Sequence, residues 1–518
     1  MGYTNYYWEN KNNKKKLLDI SREMKKKVKS LINFLKNWEK EITVFWEISE
    51  VEWEKNNRKI IFDIDKVEWE GWKIDTYSYL EKLVKEINLW DNIQEKKWVY
   101  PFAFELEIDG LFFSNDYIQE YLKYYEYKCE KYSWEQFFFK LTIKVSNEWK
   151  PNLGYFHIDG SSFTSYLHDI VKIERINNES KDFIINSLHD IKNNSDYINS
   201  DYIISRIDDF IWESNKLDYY QYNVWQANAS KISVYTRECK KIDLFFDLGI
   251  DNKKRINDIR ISNENYIFIS HWHTDHFRWL HKNINKFDNT DTYLIAPYDA
   301  GENPNLISIT ALHLLLNFIY KFWKDKLFLL NGDGIIDRHF IKLKKIKENS
   351  NNKNNNALVL KIKSPWNRTI CEMWDYWFER FCREDLGRCL RSRRMLGYCR
   401  DDLSILFTWD ASTGYYADLF NNKCLFIFNV PHHGSRHSYD INKHKYNFTF
   451  VFSFISYWEN RYGHPNDEVL RDIREKSCIL LKTKNFWQTK INDYCLDYLT
   501  TITTKFVKIT IPIRSWWF

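Results

Sequence analysis

The chain has 518 residues, of which 44% are hydrophobic and 28% charged, and its formal net charge is +5. This length suffices for two or three domains, and so small a net charge does not indicate a nucleic-acid-binding protein by itself. The first ten residues show no signal peptide, and the apolar stretch 312–322 is too short and too polar to span a bilayer. The nine cysteines lack paired CxxC spacing. We therefore expect reduced thiols in a cytoplasmic protein with no membrane span.

Residues 1–215 show secondary-structure patterns but no chemical motif, and we predict an N-terminal α+β domain of unknown fold and function. Apolar residues recur at helical spacing between Leu17 and Leu35, which predicts an amphipathic helix with a basic face. That face is more simply a solvated surface than a phosphate-binding one. Strands are predicted at 42–66, 102–113 and 137–145, and helices at 75–89, 117–127 and over most of 172–215.

A second domain is predicted over residues 216–518, beginning with strands and turns that end at Asp247 and Gly249. Later strands are predicted at 266–269, 292–296, 326–330, 357–362, 403–409, 425–430, 450–456 and 479–483, with helices near 306–324 and 467–476. Residues 365–402, which are expected to be an insertion by the family resemblance described below, contain eight arginines and four cysteines. The arginines are candidates for phosphate contacts. The cysteines fit no zinc spacing and are expected to be free thiols.

A cluster of metal-competent side chains follows the predicted strand 266–269. His271, His273, Asp275 and His276 stand within six residues at its carboxyl end. The i, i+2 spacing of the first two lets both imidazoles reach one ion, and the other two can reach a second ion about 3.5–4 Å away. Imidazole and carboxylate ligands without thiolate suit zinc, and also manganese or iron. Three of only 14 histidines in this loop argue against a chance arrangement.

Further candidate side chains stand at the ends of later predicted strands, and the set resembles the metallo-β-lactamase superfamily. The loop 271–276 resembles its HxHxDH motif, and Asp410 follows a strand that resembles "LLTGDA". Residues 430–435 resemble "VPHHGS", and 460–465 match the "NxYGHP" loop of the ComEC-like branch. Residues 223–249 resemble "VGQGDA … DxG", the opening of a ComEC-like metallo-β-lactamase domain. The resemblance therefore covers about residues 218–495.

This resemblance implies an α/β class domain, a four-layer αββα sandwich, that holds one or two zinc ions. His271 and His273 would bind one ion. Asp275, His276 and one of His432 or His433 would bind the other, and Asp410 would bridge both. Asp247 would support the metal loop from behind without binding metal. His313 and His339 match no motif for the third histidine that many members add to the first ion, so the number of ions stays open.

The implied activity is hydrolysis by metal-activated water, which supplies hydroxide near neutral pH. Asp275 and His464 are the candidate catalytic residues, with His464 donating a proton to the leaving group, contacting phosphate or holding a turn. Ser435 and Asn460 are candidate substrate contacts. A phosphodiesterase or nuclease acting on nucleic acid or a nucleotide is preferred. The alternatives are a hydrolase of a small ester, thioester or lactam, and a non-catalytic metal-binding sensor or interaction module.

Tryptophan is unusually abundant relative to glycine, with 23 Trp and 14 Gly. At the ordinary usage of about 7%, this length would contain roughly 36 glycines. Trp225, Trp279, Trp409 and Trp458 stand where a turn or close backbone approach favours glycine. Because UGA is read as glycine in some bacterial lineages and as tryptophan in others, we hypothesise that many of these positions are glycine in the living protein.

Overall fold

The computed structural model describes most of the predicted elements but not the loops between several of them. The described residues are 19–20, 22–36, 40–53, 58–76, 79, 82, 103–109, 138–146, 154–159, 164–176, 197–222, 229–249, 259–298, 307, 309–322, 324–331, 333–346, 357–363, 404–408, 410–419, 424–436, 438–440, 449–455, 465–482, 500–503 and 506–512. The chain divides into two compact units, residues 1–195 with 300–325, and residues 196–299 with 326–518. Among the described helices, none is long and apolar enough to cross a membrane.

The described structure is mixed α/β, with mostly sheet and few helices. The strands are β1 (Lys40–Trp53), β2 (Arg58–Trp69), β3 (Trp72–Asp75), β4 (Ala103–Asp109), β5 (Phe138–Ser146), β6 (Gly154–Asp159), β7 (Thr164–Ile176), β8 (Ser214–Tyr222), β9 (Ala229–Thr236), β10 (Lys241–Leu248), β11 (Glu264–Phe268), β12 (Asp291–Pro297), β13 (Leu327–Leu330), β14 (Gly334–Asp337), β15 (Ile341–Lys345), β16 (Leu358–Lys363), β17 (Ser404–Phe407), β18 (Cys424–Asn429), β19 (Thr449–Ile455), β20 (Ser477–Lys482), β21 (Thr500–Ile502) and β22 (Phe506–Pro512). The helices are α1 (22–35), α2 (Tyr197–Trp212), α3 (Thr274–Asn283), α4 (Ile309–Phe322), α5 (Thr413–Tyr416) and α6 (Asp467–Lys476).

The first unit contains one antiparallel sheet whose strand order closes on itself. The order is β1-β5-β7-β6-β4-β2-β3, and β1 also pairs with β2, so six strands form a ring. In β5, Leu141, Ile143 and Val145 are buried at alternate positions, as expected for a strand with one apolar face. The strands predicted within 42–66 and at 137–145 are confirmed, and the strand predicted at 102–113 is confirmed over Ala103–Asp109, the part that the structure describes. Residues 172–176, predicted as helix, belong instead to β7, where they pair with β5.

The second unit contains two sheets with parallel halves. One has the order β13-β12-β11-β10-β9-β8-β22-β21 and the other β14-β15-β16-β17-β18-β19-β20. Strands β10 to β13 are mutually parallel, and so are β17 to β20. Because the carboxyl ends of parallel strands share one edge, the loops after β11, β17 and β18 leave their sheets at such edges. These are the loops that carry the candidate ligands.

Apolar side chains from both sheets of the second unit meet in one core. Phe246 of β10 stacks on Phe407 of β17 with ring centroids 3.9 Å apart, and Tyr219 of β8 contacts Phe454 of β19 at 5.3 Å. Helix α2 adds isoleucines to the same core, and Ile207 and Ile211 have no exposed surface. Asp208 of this helix also accepts backbone N–H bonds from the turn between β14 and β15. The core therefore joins the two sheets and α2.

Candidate metal centre

Three side chains from two different sheets form a potential metal-binding group. His271 and His273 follow β11, and Asp410 follows β17. One ligand atom from each lies within 4.8 Å of the others. His271 Nε2 is 2.8 Å from His273 Nδ1 and 3.6 Å from Asp410 Oδ2. His271 and Asp410 are 1% and 2% exposed. The structure thus brings three predicted ligands together. Two of them are adjacent because of their short spacing in the loop after β11, and the third follows β17.

His276 approaches the same carboxylate from helix α3. Its Nε2 lies 3.5 Å from Asp410 Oδ2, the oxygen that also faces His271 Nε2. The His271 and His276 rings are 4.0 Å apart between centroids. A single carboxylate oxygen therefore lies between two buried imidazoles, which is the position that a bridging ligand would need.

A hydrogen-bond network behind the loop fixes which nitrogen of each histidine faces Asp410. Asp247 accepts from the backbone N–H and the hydroxyl of Ser270, both at 2.8 Å, and from His276 Nδ1 at 2.6 Å. Because the Ser270 hydroxyl proton goes to Asp247, its oxygen accepts from His271 Nδ1 at 3.0 Å. Both Nδ1 atoms thus carry protons, and both Nε2 lone pairs are available as metal ligands.

Asp247 is wholly buried, and its surroundings act on its charge in opposite directions. Burial raises the pKa of its carboxyl, while the charge and hydrogen bond of His276 and the hydrogen bonds of Ser270 lower it. The residue also has a left-handed backbone, with φ of 49°, and lies within the register shift between Phe246 and Leu248 of β10. Non-glycine residues in this conformation are strained and concentrate at functional sites. Asp247 is predicted to support the metal loop from behind, and in the structure it contacts Ser270 and His276 of that loop.

The loop after β18 carries His433 in a second left-handed conformation, with φ of 54°. His433 is 9% exposed and Ser435 is 1% exposed. Gly434 follows with φ of 80°, and a Cβ at this position would lie 2.7 Å from Pro465 Cβ. Its carbonyl accepts the backbone N–H of Asn466, the N-terminal cap of α6. The loop is therefore held against the start of α6.

A buried polar network, which the sequence analysis did not identify, joins the two sheets beside these loops. The Tyr219 hydroxyl lies 2.6 Å from Gln221 Oε1 and 2.9 Å from Asn429 Oδ1. Asn429 Nδ2 donates to Ser230 Oγ, and the Asn429 carbonyl accepts from Thr408 Oγ1. Thr408 precedes Asp410 by two residues, and Asn429 precedes the His432–His433 loop. A polar Asn at the end of the apolar strand β18 was the available signal.

Several predicted site residues lie outside the described part of the chain. These are the side chains of Asp275 and His432, all of Asn460 and His464, the insertion 365–402, and Trp225, Trp409 and Trp458. The backbone of Asp275 lies in the first turn of α3.

His313, His339 and Trp279, which were named above, and also Trp272 lie in the described part. His313 is buried in α4, beside Asn317, and His339 is exposed beside the Phe340 ring. Trp272 is buried and donates from Nε1 to the Pro297 carbonyl at 2.9 Å. Trp279 was predicted at a turn, but it lies within α3 and contacts Phe287 edge to face. The indole is 6% exposed and is therefore buried against residues outside α3 such as Phe287.

Compared with known proteins, the sequence matches no family model and none of the curated proteins.

Proposed function

We propose that the second unit is a metal-dependent hydrolase with a four-layer αββα sandwich of the metallo-β-lactamase type. The observation that carries this proposal is the convergence of His271, His273 and Asp410 from two sheets, with ligand atoms within 4.8 Å. Zinc is the preferred ion, with manganese or iron as alternatives, because the ligands are imidazoles and a carboxylate.

The geometry of the group fits such an ion. Ligand atoms bound at about 2.0–2.1 Å in a tetrahedral zinc site lie about 3.4 Å apart. The 3.6 Å between His271 Nε2 and Asp410 Oδ2 is close to this value, while the 2.8 Å between His271 Nε2 and His273 Nδ1 is shorter and corresponds to a hydrogen bond. The Nδ1 protons of His271 and His276 are directed to Ser270 and Asp247, as metal-binding histidines require. Asp275, His276 and one of His432 or His433 are the proposed ligands of a second ion, with Asp410 as the bridge.

A bound ion would supply hydroxide from water near neutral pH and would stabilise negative charge that develops on the substrate. The protein's own contribution is to hold the ligands at the ends of rigid strands and to fix the histidine tautomers. Phosphodiesters of nucleic acids or nucleotides are the proposed substrates. This choice is supported by the resemblance of residues 218–495 to the ComEC-like branch and by the eight arginines of the insertion.

The test measures bound metal by elemental analysis, and cleavage of bis(p-nitrophenyl) phosphate, single- and double-stranded DNA and cyclic dinucleotides. We expect metal-dependent phosphodiester cleavage by the natural chain. His271→Ala and Asp410→Ala should each lower the metal content and reduce cleavage by more than about 100-fold, since even outer-shell changes cost 10–100-fold. His339→Ala is the matched control, because His339 is exposed and contacts Phe340.

Two results would oppose the proposal. If the folded Asp410→Ala variant still cleaves phosphodiesters, the Asp410 carboxylate is not part of the catalytic site. Stoichiometric metal without cleavage of any phosphodiester would favour a small-substrate hydrolase or a metal-binding module that does not catalyse a reaction.

A further inference from the structure

The basic face of helix α1 forms a continuous stripe on the first unit. Arg22, Lys25, Lys26, Lys29 and Lys36 are all exposed. Their spacing of 3, 4, 7 and 14 residues from Arg22 places them on one side of a helix. Lys36 continues the helical pattern, because its backbone N–H donates to the Ile32 carbonyl at 3.0 Å. At 1.5 Å per residue, the stripe is about 21 Å long.

The opposite side of α1 fixes the stripe in place. Met24 is 6% exposed, and Val28, Leu31 and Leu35 have no exposed surface. The helix is therefore packed along its whole length, and its cations are presented from a rigid support. This arrangement keeps the entropic cost of binding low, because only the lysine side chains have to be ordered.

The described part of the helix, 19–20 and 22–36, carries two acidic side chains and six basic ones. Glu23 lies to one side of it and pairs with Lys27 at 3.1 Å, while Asp19 stands 3.8 Å from Arg22 at its start. Exposed pairs of this kind are weak. Five cations along about 21 Å match a ligand that carries regularly spaced negative charges, such as a phosphate backbone.

We propose that this stripe binds the phosphate backbone of a nucleic-acid strand. The choice of nucleic acid among polyanions rests on the proposed phosphodiester substrate. A membrane surface fits less well, because a helix that binds a bilayer buries its apolar face in lipid. In α1 that face is already buried within the protein.

The experiment measures binding of a fluorescein-labelled phosphorothioate oligonucleotide of about 20 nucleotides, single-stranded and as a duplex, by anisotropy over a range of salt concentrations. The oligonucleotide resists hydrolysis, so binding is measured without cleavage. The test variant is Lys25→Gln, Lys26→Gln, Lys29→Gln. The control variant, Lys82→Gln, Lys172→Gln, Lys240→Gln, removes the same charge from scattered exposed positions.

We expect the test variant to bind about tenfold or more weakly, with a salt slope smaller by about 2 to 3, while the control changes little. Equal binding by test variant and natural chain, or equal losses in both variants, would overturn the proposal. Loss of binding to phosphatidylserine vesicles without an effect on the oligonucleotide would assign the stripe to lipid and overturn it as well.

The natural chain and the test variant also distinguish this proposal from the proposed hydrolase function. Cleavage of bis(p-nitrophenyl) phosphate needs no long backbone, so the test variant should retain it. A natural chain that binds the oligonucleotide through the stripe but cleaves no phosphodiester would contradict the proposed function alone.

Discussion

At the scale of single residues, the carboxylate of Asp247 determines which nitrogen of His276 faces Asp410. A carboxylate only accepts hydrogen bonds, so His276 Nδ1 donates to it and Nε2 keeps its lone pair. An amide in the same place can present an N–H instead. The proton of His276 would then move to Nε2, where it would block a metal ligand.

We therefore expect Asp247→Asn to weaken metal binding by about 10–100-fold, with the effect measured by competition with a chelator. Asp208→Asn is the matched control, because Asp208 also accepts two backbone N–H bonds but holds the turn after β14. The control should lower stability and leave metal affinity unchanged. A folded Asp247→Asn protein with normal metal affinity would contradict this account.

Lys231 of β9 is a buried cation whose charge opposes folding. Its Nζ lies 3.7 Å from Asp243, donates to the Arg260 carbonyl at 3.1 Å and stands over the Tyr220 ring. Burial, only partly offset by Asp243, lowers the pKa of Lys231 to about 8. The unfolded chain keeps the ordinary value near 10.4. Below pH 8 the folded protein carries a buried charge on Lys231. Because the folded chain releases this proton near pH 8 and the unfolded chain only near 10.4, the free energy of unfolding increases as pH rises between these values.

Lys231→Met removes this titration, while Asp243 keeps Lys241, Ser233 and Ser262 as partners. We expect the stability of the variant relative to the natural chain to fall by about 1–3 kcal/mol between pH 7 and pH 10. Urea unfolding at several pH values measures this difference. Lys240→Met is the control, because the exposed pair with Glu238 raises the pKa of Lys240 and gives the opposite sign. A difference that does not vary with pH would show that Lys231 is not desolvated.

At the scale of elements, two glycines with the same backbone conformation occupy different surroundings. Gly434 has φ of 80° and lies against Pro465, whereas Gly71 has φ of 78° between β2 and β3 with nothing within 4 Å of an added Cβ. Alanine is strained at both positions, but only at Gly434 does it also collide with another loop.

We expect Gly71→Ala to cost about 1 kcal/mol and Gly434→Ala about 2–4 kcal/mol, as measured by denaturant unfolding. Gly434→Ala should also weaken metal binding if His433 is a ligand, because the collision moves the loop that carries it. Equal costs for the two variants would mean that the contact with Pro465 relaxes freely.

Local patterns in the sequence predicted much of the second unit, because alternation and helix caps depend on neighbouring residues. Helix α6 was predicted with its observed bounds, and Asn466 caps it through two backbone N–H groups. The hydrogen bond between Tyr219 and Asn429 was not predictable in this way, because it joins residues 210 apart and depends on how two sheets pack. The left-handed conformation of Asp247 likewise arises from a register shift between β9 and β10.

At the scale of the whole molecule, exposed tryptophans bear on the hypothesis of reassigned codons. Trp72 is 54% exposed directly after the turn at Glu70–Gly71, and Trp212 is 57% exposed at the end of α2. Both indoles are largely exposed, so glycine at either position would leave no buried cavity. Trp272, by contrast, is buried and hydrogen-bonded.

Mass spectrometry of the protein from its native cells checks this hypothesis. We expect peptides that carry glycine at positions 72 and 212 and an intact mass below 63.5 kDa. Peptides with tryptophan at all 23 positions would falsify the hypothesis.

The pairing of β8 with β22 also affects when the second unit can finish folding during synthesis. Thr510 donates to Asp218, a residue 292 positions earlier in the chain. At ordinary rates of translation, β8 waits roughly 15–60 s for this neighbour. During that interval β8 offers an open edge to other strands. Newly made chains therefore complete this sheet only after β22 has been synthesised. When several ribosomes translate one mRNA close together, we expect the open edge of β8 to pair with strands of neighbouring nascent chains.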